Sequence, residues 1–157
     1  MSAKALFFWA GVAMLTAHAI LSTNSFLLVD ALTRRFKTRL LTELSGVCWL
    51  TPKLFLVTLA NLLIFLGIPG TLFFIAEVLF FYALFELHMA LACFFIFFLY
   101  FLVPTFFFRS FSNALFGALP SSHAPAPADL TRFELLLFSA HVLLLVYLGV
   151  TWQYVTY

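Results

Sequence analysis

The feature that most constrains the fold of this chain is a series of long segments almost without charge. A helix needs about 20 mostly apolar residues to cross the ~30 Å hydrocarbon layer of a membrane. Three segments of at least this length contain no Asp, Glu, Lys or Arg: residues 5–29, Leu87–Phe108 and Leu135–Tyr157. A fourth, Leu54–Phe85, contains Glu77 as its only charged residue. The sequence therefore predicts an all-α integral membrane protein of about four transmembrane helices.

The composition excludes a soluble globular domain. The chain is 65% hydrophobic and 9% charged, whereas soluble domains carry roughly 25% charged residues. A net charge of +2 gives no indication of a nucleic-acid partner. Cys48 and Cys93 lie in or beside apolar segments and are interpreted as small hydrophobic residues. No metal site and no cofactor on this chain is expected.

One of the four segments carries a strong helix-breaking signal in its middle. Gly67-Ile68-Pro69-Gly70 should interrupt a helix, because proline removes a backbone donor and glycine loosens the backbone. Either two short helices meet at a turn and the segment crosses the membrane twice, or a single crossing is broken partway. Basic residues in short loops collect on one side of a membrane, so their distribution can distinguish the two arrangements.

The basic residues favour a single broken crossing. If the segment crosses once, every basic residue except Lys4 lies on one side; if it crosses twice, Arg109 and Arg132 join Lys4. The first arrangement is the more asymmetric, and both chain termini then lie on the less basic side. The predicted spans are about 5–32, 53–86 (broken at 67–70), 87–108 and 133–155, all within one membrane domain, with a loop at 110–130.

Glu77 is the first candidate functional residue. It is the only carboxylate in its apolar segment and follows the predicted helix break by seven residues. An ionisable group at such depth is costly unless it faces a partner or water, and broken helices commonly build ion sites near the membrane midplane. The alternative is a protonated glutamic acid that hydrogen-bonds to a neighbouring helix and only stabilises packing.

His18 is the second candidate. It lies in the middle of the first span, and Ser22, Thr23 and Asn24 follow it, which indicates a hydrated helix face. Histidine titrates near neutral pH and can relay protons. An interhelical hydrogen bond without any transport role is the alternative.

Several segments resemble one family of respiratory-chain proteins. Residues 14–19 and 35–39 resemble the pattern M-L-x-H-G followed later by D-R-x-x-T-R. Residues 58–61 and 67–77 resemble L-A-N-x-x-x-P-G-T-x-x-F-x-G-E-F, and residues 129–134 fit the start of the same family's last span. These patterns are similar to those of subunit 4 of mitochondrial NADH dehydrogenase, an antiporter-like, proton-pumping subunit family of respiratory complex I.

The resemblance implies a function and a set of partners. It covers nearly the whole chain but only the last four helices of a longer subunit, so the chain would be the C-terminal piece of a split subunit whose N-terminal helices come from a separate chain. Glu77 would be the family glutamate of a proton half-channel, His18 part of the polar path that feeds it, and Gly67, Pro69 and Gly70 the helix break.

The same resemblance implies a setting. The chain would lie in the mitochondrial inner membrane as a multi-pass protein, with its termini on the intermembrane-space side and other complex I membrane subunits and lipids, cardiolipin among them, as neighbours. It would contribute to NADH:ubiquinone oxidoreductase without redox chemistry of its own. A non-pumping structural subunit of a respiratory complex and a cation/proton antiporter subunit are the alternatives.

Overall fold

The computed structural model describes residues 3–118 and 127–152. Seven α-helices and one π-helical segment account for most of these residues. Their bounds are α1 Ala3–Phe36, α2 Val47–Leu50, α3 Pro52–Phe65, α4 Leu72–Leu87, α5 Met89–Phe97, the π segment Phe98–Leu102, α6 Val103–Phe116 and α7 Arg132–Trp152. The predicted all-α membrane fold is confirmed, and no strand occurs in the described ranges.

Within the described ranges, three helical stretches are long and apolar enough to cross a membrane. They are Lys4–Phe36, Met89–Phe116 and Arg132–Trp152. The remaining span consists of α3 with 14 residues and α4 with 16, or about 21 and 24 Å at 1.5 Å per residue. Neither reaches across the ~30 Å hydrocarbon layer alone, whereas the two in succession do. The predicted interruption of the second span is confirmed.

Helices α3 and α4 lie one after the other along α1, antiparallel to it. At one end of α1, Ala31 belongs to the same apolar cluster as Leu54, and near its middle Leu21 belongs to the same cluster as Ile64. At the other end, the rings of Phe7 and Phe80 meet edge to face with centroids 5.7 Å apart. Because the pairing advances steadily across the break, α3 and α4 run in the same direction and do not fold back on each other.

The third helical stretch is longer than the sequence predicted. It runs from Met89 through the π segment to Phe116, whereas the predicted span ends at 108 and is followed by a loop at 110–130. The described part of that loop therefore begins at Gly117. Arg109 ended the predicted span because it is charged, but it is exposed, so it does not oppose helix formation.

The last helix packs against α1 and against both halves of the broken span. Helix α7 begins at Arg132 and is described to Trp152, so the end of the predicted span at 133–155 lies outside the described residues. Leu145 of α7 joins the apolar cluster around Ala17 and Leu72. Trp152 contacts Trp9 edge to face, with ring centroids 6.2 Å apart, which places the end of α7 near the start of α1.

Candidate functional site

The second span breaks through a specific backbone motif. Gly67 adopts a left-handed conformation, with φ of 72°. Its N–H donates to the carbonyl of Ile64 at 3.0 Å, and the N–H of Ile68 donates to the carbonyl of Leu63 at 3.2 Å. This pair of bonds is the Schellman arrangement, in which glycine is favoured because a Cβ atom disfavours positive φ. The end of helix α3 is therefore set by the left-handed conformation of Gly67.

Helix α4 starts again immediately after the break. Pro69 and Gly70 form a turn, and the Thr71 hydroxyl accepts a hydrogen bond from the N–H of Phe74 at 3.3 Å. A threonine oxygen bonded in this way is a typical helix N-cap. The N-terminus of α4, with its partial positive charge, consequently lies inside the span rather than at its end.

The Glu77 side chain reaches back to this break. Side chains lean toward the N-terminus of their helix, and a Cβ atom added at Gly67 would lie only 2.5 Å from Oε2 of Glu77. Glu77 is 6% exposed. Its carboxyl group therefore occupies the space that a side chain at position 67 would fill, which explains why glycine is needed there in addition to the backbone conformation.

Tyr100 supplies the hydrogen-bond partner of Glu77. Its hydroxyl donates to Oε2 at 2.8 Å, across 23 positions of the chain. Tyr100 lies in the π segment, and such segments are frequent at functional sites. Tyr100 is not among the predicted site residues; its signal in the sequence is the single phenolic hydroxyl among the phenylalanines of that span.

Cavities flank Glu77 on two sides. A cleft of about 250 Å³ lies between α1, α4 and the third helical stretch, with Met14, Phe81 and Phe98 in its wall. A smaller space of about 20 Å³ lies toward α3 and is lined by Phe65 and Tyr100. A cavity of about 10–15 Å³ holds one water molecule, so both are large enough for water. Apart from Glu77, the side chains around the larger cleft are apolar, so the carboxyl group is the polar side chain that would hold a water molecule there.

The structure does not bring His18 to Glu77. His18 lies on an exposed face of α1, whereas its neighbour Ala17 faces the core. Its imidazole makes no hydrogen bond or ion pair with the residues in 3–118 and 127–152. Of the predicted site residues, Gly67, Pro69 and Gly70 thus lie at the break, Glu77 reaches it, and His18 stays apart.

Two comparisons with known proteins agree. A family model described as "NADH:quinone oxidoreductase/Mrp antiporter, TM" matches residues 4–103, which include the break and Glu77. The chain is similar to NADH-quinone oxidoreductase subunit M of Rickettsia typhi, with 24% identity over 133 residues; these cover 85% of this chain and 27% of that protein. The chain spans only about a quarter of the curated relative it matches.

The family match extends over well more than half of the chain, and the all-helical fold with its apolar spans is that of a multi-pass membrane protein. The chain belongs to the NADH:quinone oxidoreductase/Mrp antiporter transmembrane family.

Proposed function

We propose that this chain forms part of a proton-translocation half-channel and that Glu77 binds and releases the proton. The observation that carries the proposal is the position of its carboxyl group, which is buried between a helix break and the Tyr100 hydroxyl. Ionisable residues inside membranes mark ion pathways. Discontinuous helices supply the polar backbone ends that make such a group tolerable.

Each neighbour of Glu77 has a distinct part in this step. When the carboxyl group is ionised, the Tyr100 hydroxyl donates to it and the positive end of α4 lies nearby. A proton arriving from water in one cavity neutralises the carboxylate, and its departure toward the other cavity restores the charge. Met14 and the phenylalanines around the larger cleft limit the water that reaches the carboxyl group.

The family match and the resemblance of the sequence segments to subunit 4 support a wider proposal. The chain is proposed to be the C-terminal part of an antiporter-like subunit 4 of NADH:ubiquinone oxidoreductase in the mitochondrial inner membrane, with its termini toward the intermembrane space. It performs no redox chemistry itself. Its neighbours are the other complex I membrane subunits, membrane lipids such as cardiolipin, and a separate chain carrying the N-terminal helices of the same subunit.

His18 retains a proposed role only through that second chain. A titratable side chain on an exposed helix face is unfavourable against lipid, and a helix of the partner chain would cover it. The polar path that reaches Glu77 through His18 would then run along the junction between the two chains.

The direct test is Glu77→Gln in the membrane complex that contains this chain. Glutamine keeps the size and hydrogen bonding of the side chain but cannot ionise, so proton pumping driven by NADH should fall several-fold. NADH oxidation by an artificial acceptor and the assembled complex should be retained. Pumping is measured by the quenching of a pH-sensitive dye in sealed vesicles.

Glu86→Gln is the matched control, because Glu86 lies on the same helix but is exposed. The complex with this variant should pump normally. Tyr100→Phe, which keeps the ring and removes the donor, should give an intermediate loss. Normal pumping by a fully assembled Glu77→Gln complex would contradict the proposal and favour a structural subunit. Purification of the chain without NADH dehydrogenase activity, but with sodium-dependent proton exchange, would favour a cation/proton antiporter.

A further inference from the structure

A second polar cluster is buried away from Glu77, where α1 packs against α3. It consists of Asn24, Ser25, Thr58 and Asn61. Asn24 is 0% exposed, Asn61 4% and Thr58 7%. The apolar side chains of Leu28, Leu54 and Val57 form the adjoining cluster. The side-chain amides and hydroxyls thus depend on one another, or on a bound molecule, for hydrogen bonds.

The hydrogen bonds within the cluster fix the orientation of both amides. The Ser25 hydroxyl donates to the carbonyl of Leu21 at 2.7 Å, so its oxygen is left to accept from Nδ2 of Asn61 at 2.9 Å. Oδ1 of Asn61 accepts in turn from Nδ2 of Asn24 at 2.9 Å. Since both amide nitrogens donate to oxygens of the cluster, Oδ1 of Asn24 is left as an acceptor without a donor among the described residues.

Two oxygens of the cluster are buried without a partner among the described residues. They are Oδ1 of Asn24 and Oγ1 of Thr58. Thr58 precedes Asn61 on α3 by three residues, about 4.5 Å of helix rise, so the two oxygens belong to adjacent turns of one interface. Buried polar groups in proteins are almost always hydrogen-bonded, and in a membrane no bulk water compensates for a missing bond.

We propose that a single water molecule is bound between Asn24 and Thr58. The water donates one hydrogen to Oδ1 of Asn24, accepts from the Thr58 hydroxyl, and so completes both groups. A neutral ligand fits because the side chains of the cluster are uncharged, and two oxygens are too few for Ca²⁺ or Mg²⁺, which take six or more ligands. The site ties α3 to α1 and does not depend on proton transfer at Glu77.

The test is X-ray hydroxyl-radical labelling of the complex in lipid nanodiscs, read by mass spectrometry. Radicals form from ordered buried water as well as from bulk solvent, so side chains beside a bound water are oxidised although they are buried. Leu28 and Leu54 adjoin the proposed site, whereas Leu145 is equally buried in an apolar cluster. Leu28 and Leu54 should be oxidised several-fold faster than Leu145.

Thr58→Val provides the second comparison. Valine keeps the shape of the side chain but removes the hydroxyl, so oxidation of Leu28 and Leu54 should fall toward that of Leu145. Thr16→Val is its control, since the exposed Thr16 hydroxyl bonds only to the carbonyl of Val12. If Leu28 and Leu54 of the unmodified protein are oxidised as slowly as Leu145, the proposal is wrong. This comparison does not depend on any variant.

Discussion

At the scale of single residues, the closest dependence in the chain is that between Gly67 and Glu77. The glycine is required twice, once for its positive φ and once because the carboxyl group occupies the position of its missing side chain. A left-handed conformation costs about 1–2 kcal/mol for a residue with a Cβ atom. The contact with Glu77 adds a second cost, which only displacement of the carboxyl group can relieve.

With the proton pathway proposed for Glu77, Gly67→Ala should lower proton pumping strongly, because the new methyl group displaces the Glu77 carboxyl from the Tyr100 hydroxyl. Gly70→Ala is the matched comparison: Gly70 also has a positive φ, of 93°, but a Cβ atom there would have no neighbour within 4 Å. It carries the strain without the collision and should pump better than Gly67→Ala. Equal losses in the two variants, measured in vesicles at equal assembly, would show that backbone strain alone accounts for the effect.

What the sequence could predict at this scale depended on how unusual each residue is in its surroundings. A lone carboxylate in an apolar segment is conspicuous, so Glu77 was identified. Tyr100 stands in a chain with 23 phenylalanines, where one more aromatic ring carries little signal, and its role depends on a helix far away in sequence. The orientation of His18 depends on which face of α1 the other helices cover, and the sequence pattern left that open.

At the scale of helices, the break is held from outside by α7. A Cβ atom at Gly149 would lie 2.6 Å from the carbonyl oxygen of Gly70 and 2.7 Å from the nitrogen of Leu72. Small residues allow helices in membranes to approach closely. Here the glycine allows α7 to lie directly against the backbone of the turn that joins α3 to α4.

Gly149→Ala should separate α7 from the break and lower the thermal stability of the complex, with a further loss of pumping if the break shifts. A methyl group forced into a packed site typically costs about 1–3 kcal/mol. Gly11→Ala is the control, since a Cβ atom there meets nothing within 4 Å and the residue is exposed on α1. Both stabilities are followed by thermal release of the chain from the purified complex. A similar midpoint in both variants would contradict the close approach.

Helix boundaries were predictable where they depend on consecutive residues and not where they depend on contacts between residues distant in the chain. The break follows from four consecutive residues, 67–70, whose backbone preferences act locally. The short α2 and the π segment carry no comparable local signal. The extension of the third helical stretch to Phe116 is sustained by contacts with distant residues, such as the packing of Ala114 on Leu44 and Val47.

At the scale of the whole molecule, the segments at one end of the bundle are tied together by polar contacts. Arg35 of α1 donates to Oε2 of Glu134 at 2.7 Å and to the carbonyl of Ala128 at 2.9 Å. Asp129 accepts hydrogen bonds from the N–H groups of Lys53 and Leu54 at 3.0 and 3.2 Å, and so caps α3 from a distant part of the chain. These contacts fix α1, α3 and the start of α7 relative to one another.

Arg35→Met should therefore destabilise the chain as a unit, because it removes both bonds and leaves Glu134 without its cation. Hydrogen bonds to charged groups contribute about 1.5–3 kcal/mol each, less here because the pair is partly exposed. Arg34→Met is the control: Arg34 pairs with Asp30 four residues away, both side chains are exposed, and such pairs contribute about 0.3–0.5 kcal/mol. Thermal unfolding in detergent should separate the two variants clearly, and indistinguishable midpoints would argue against the Arg35 contacts.

The π segment sets the rotation of helix α6 relative to helix α5. A π turn holds one residue more than an α turn, and one residue corresponds to about 100° of rotation around a helix axis. The side chains of α6 are thus rotated about the helix axis, relative to those of α5, by the amount that one inserted residue produces. Deleting one residue within Phe98–Leu102 would restore a regular helix and turn Ala114 away from Leu44. A relative that lacks one residue at this point should therefore differ in the direction of Tyr100 relative to the following helix, and not in the length of a loop.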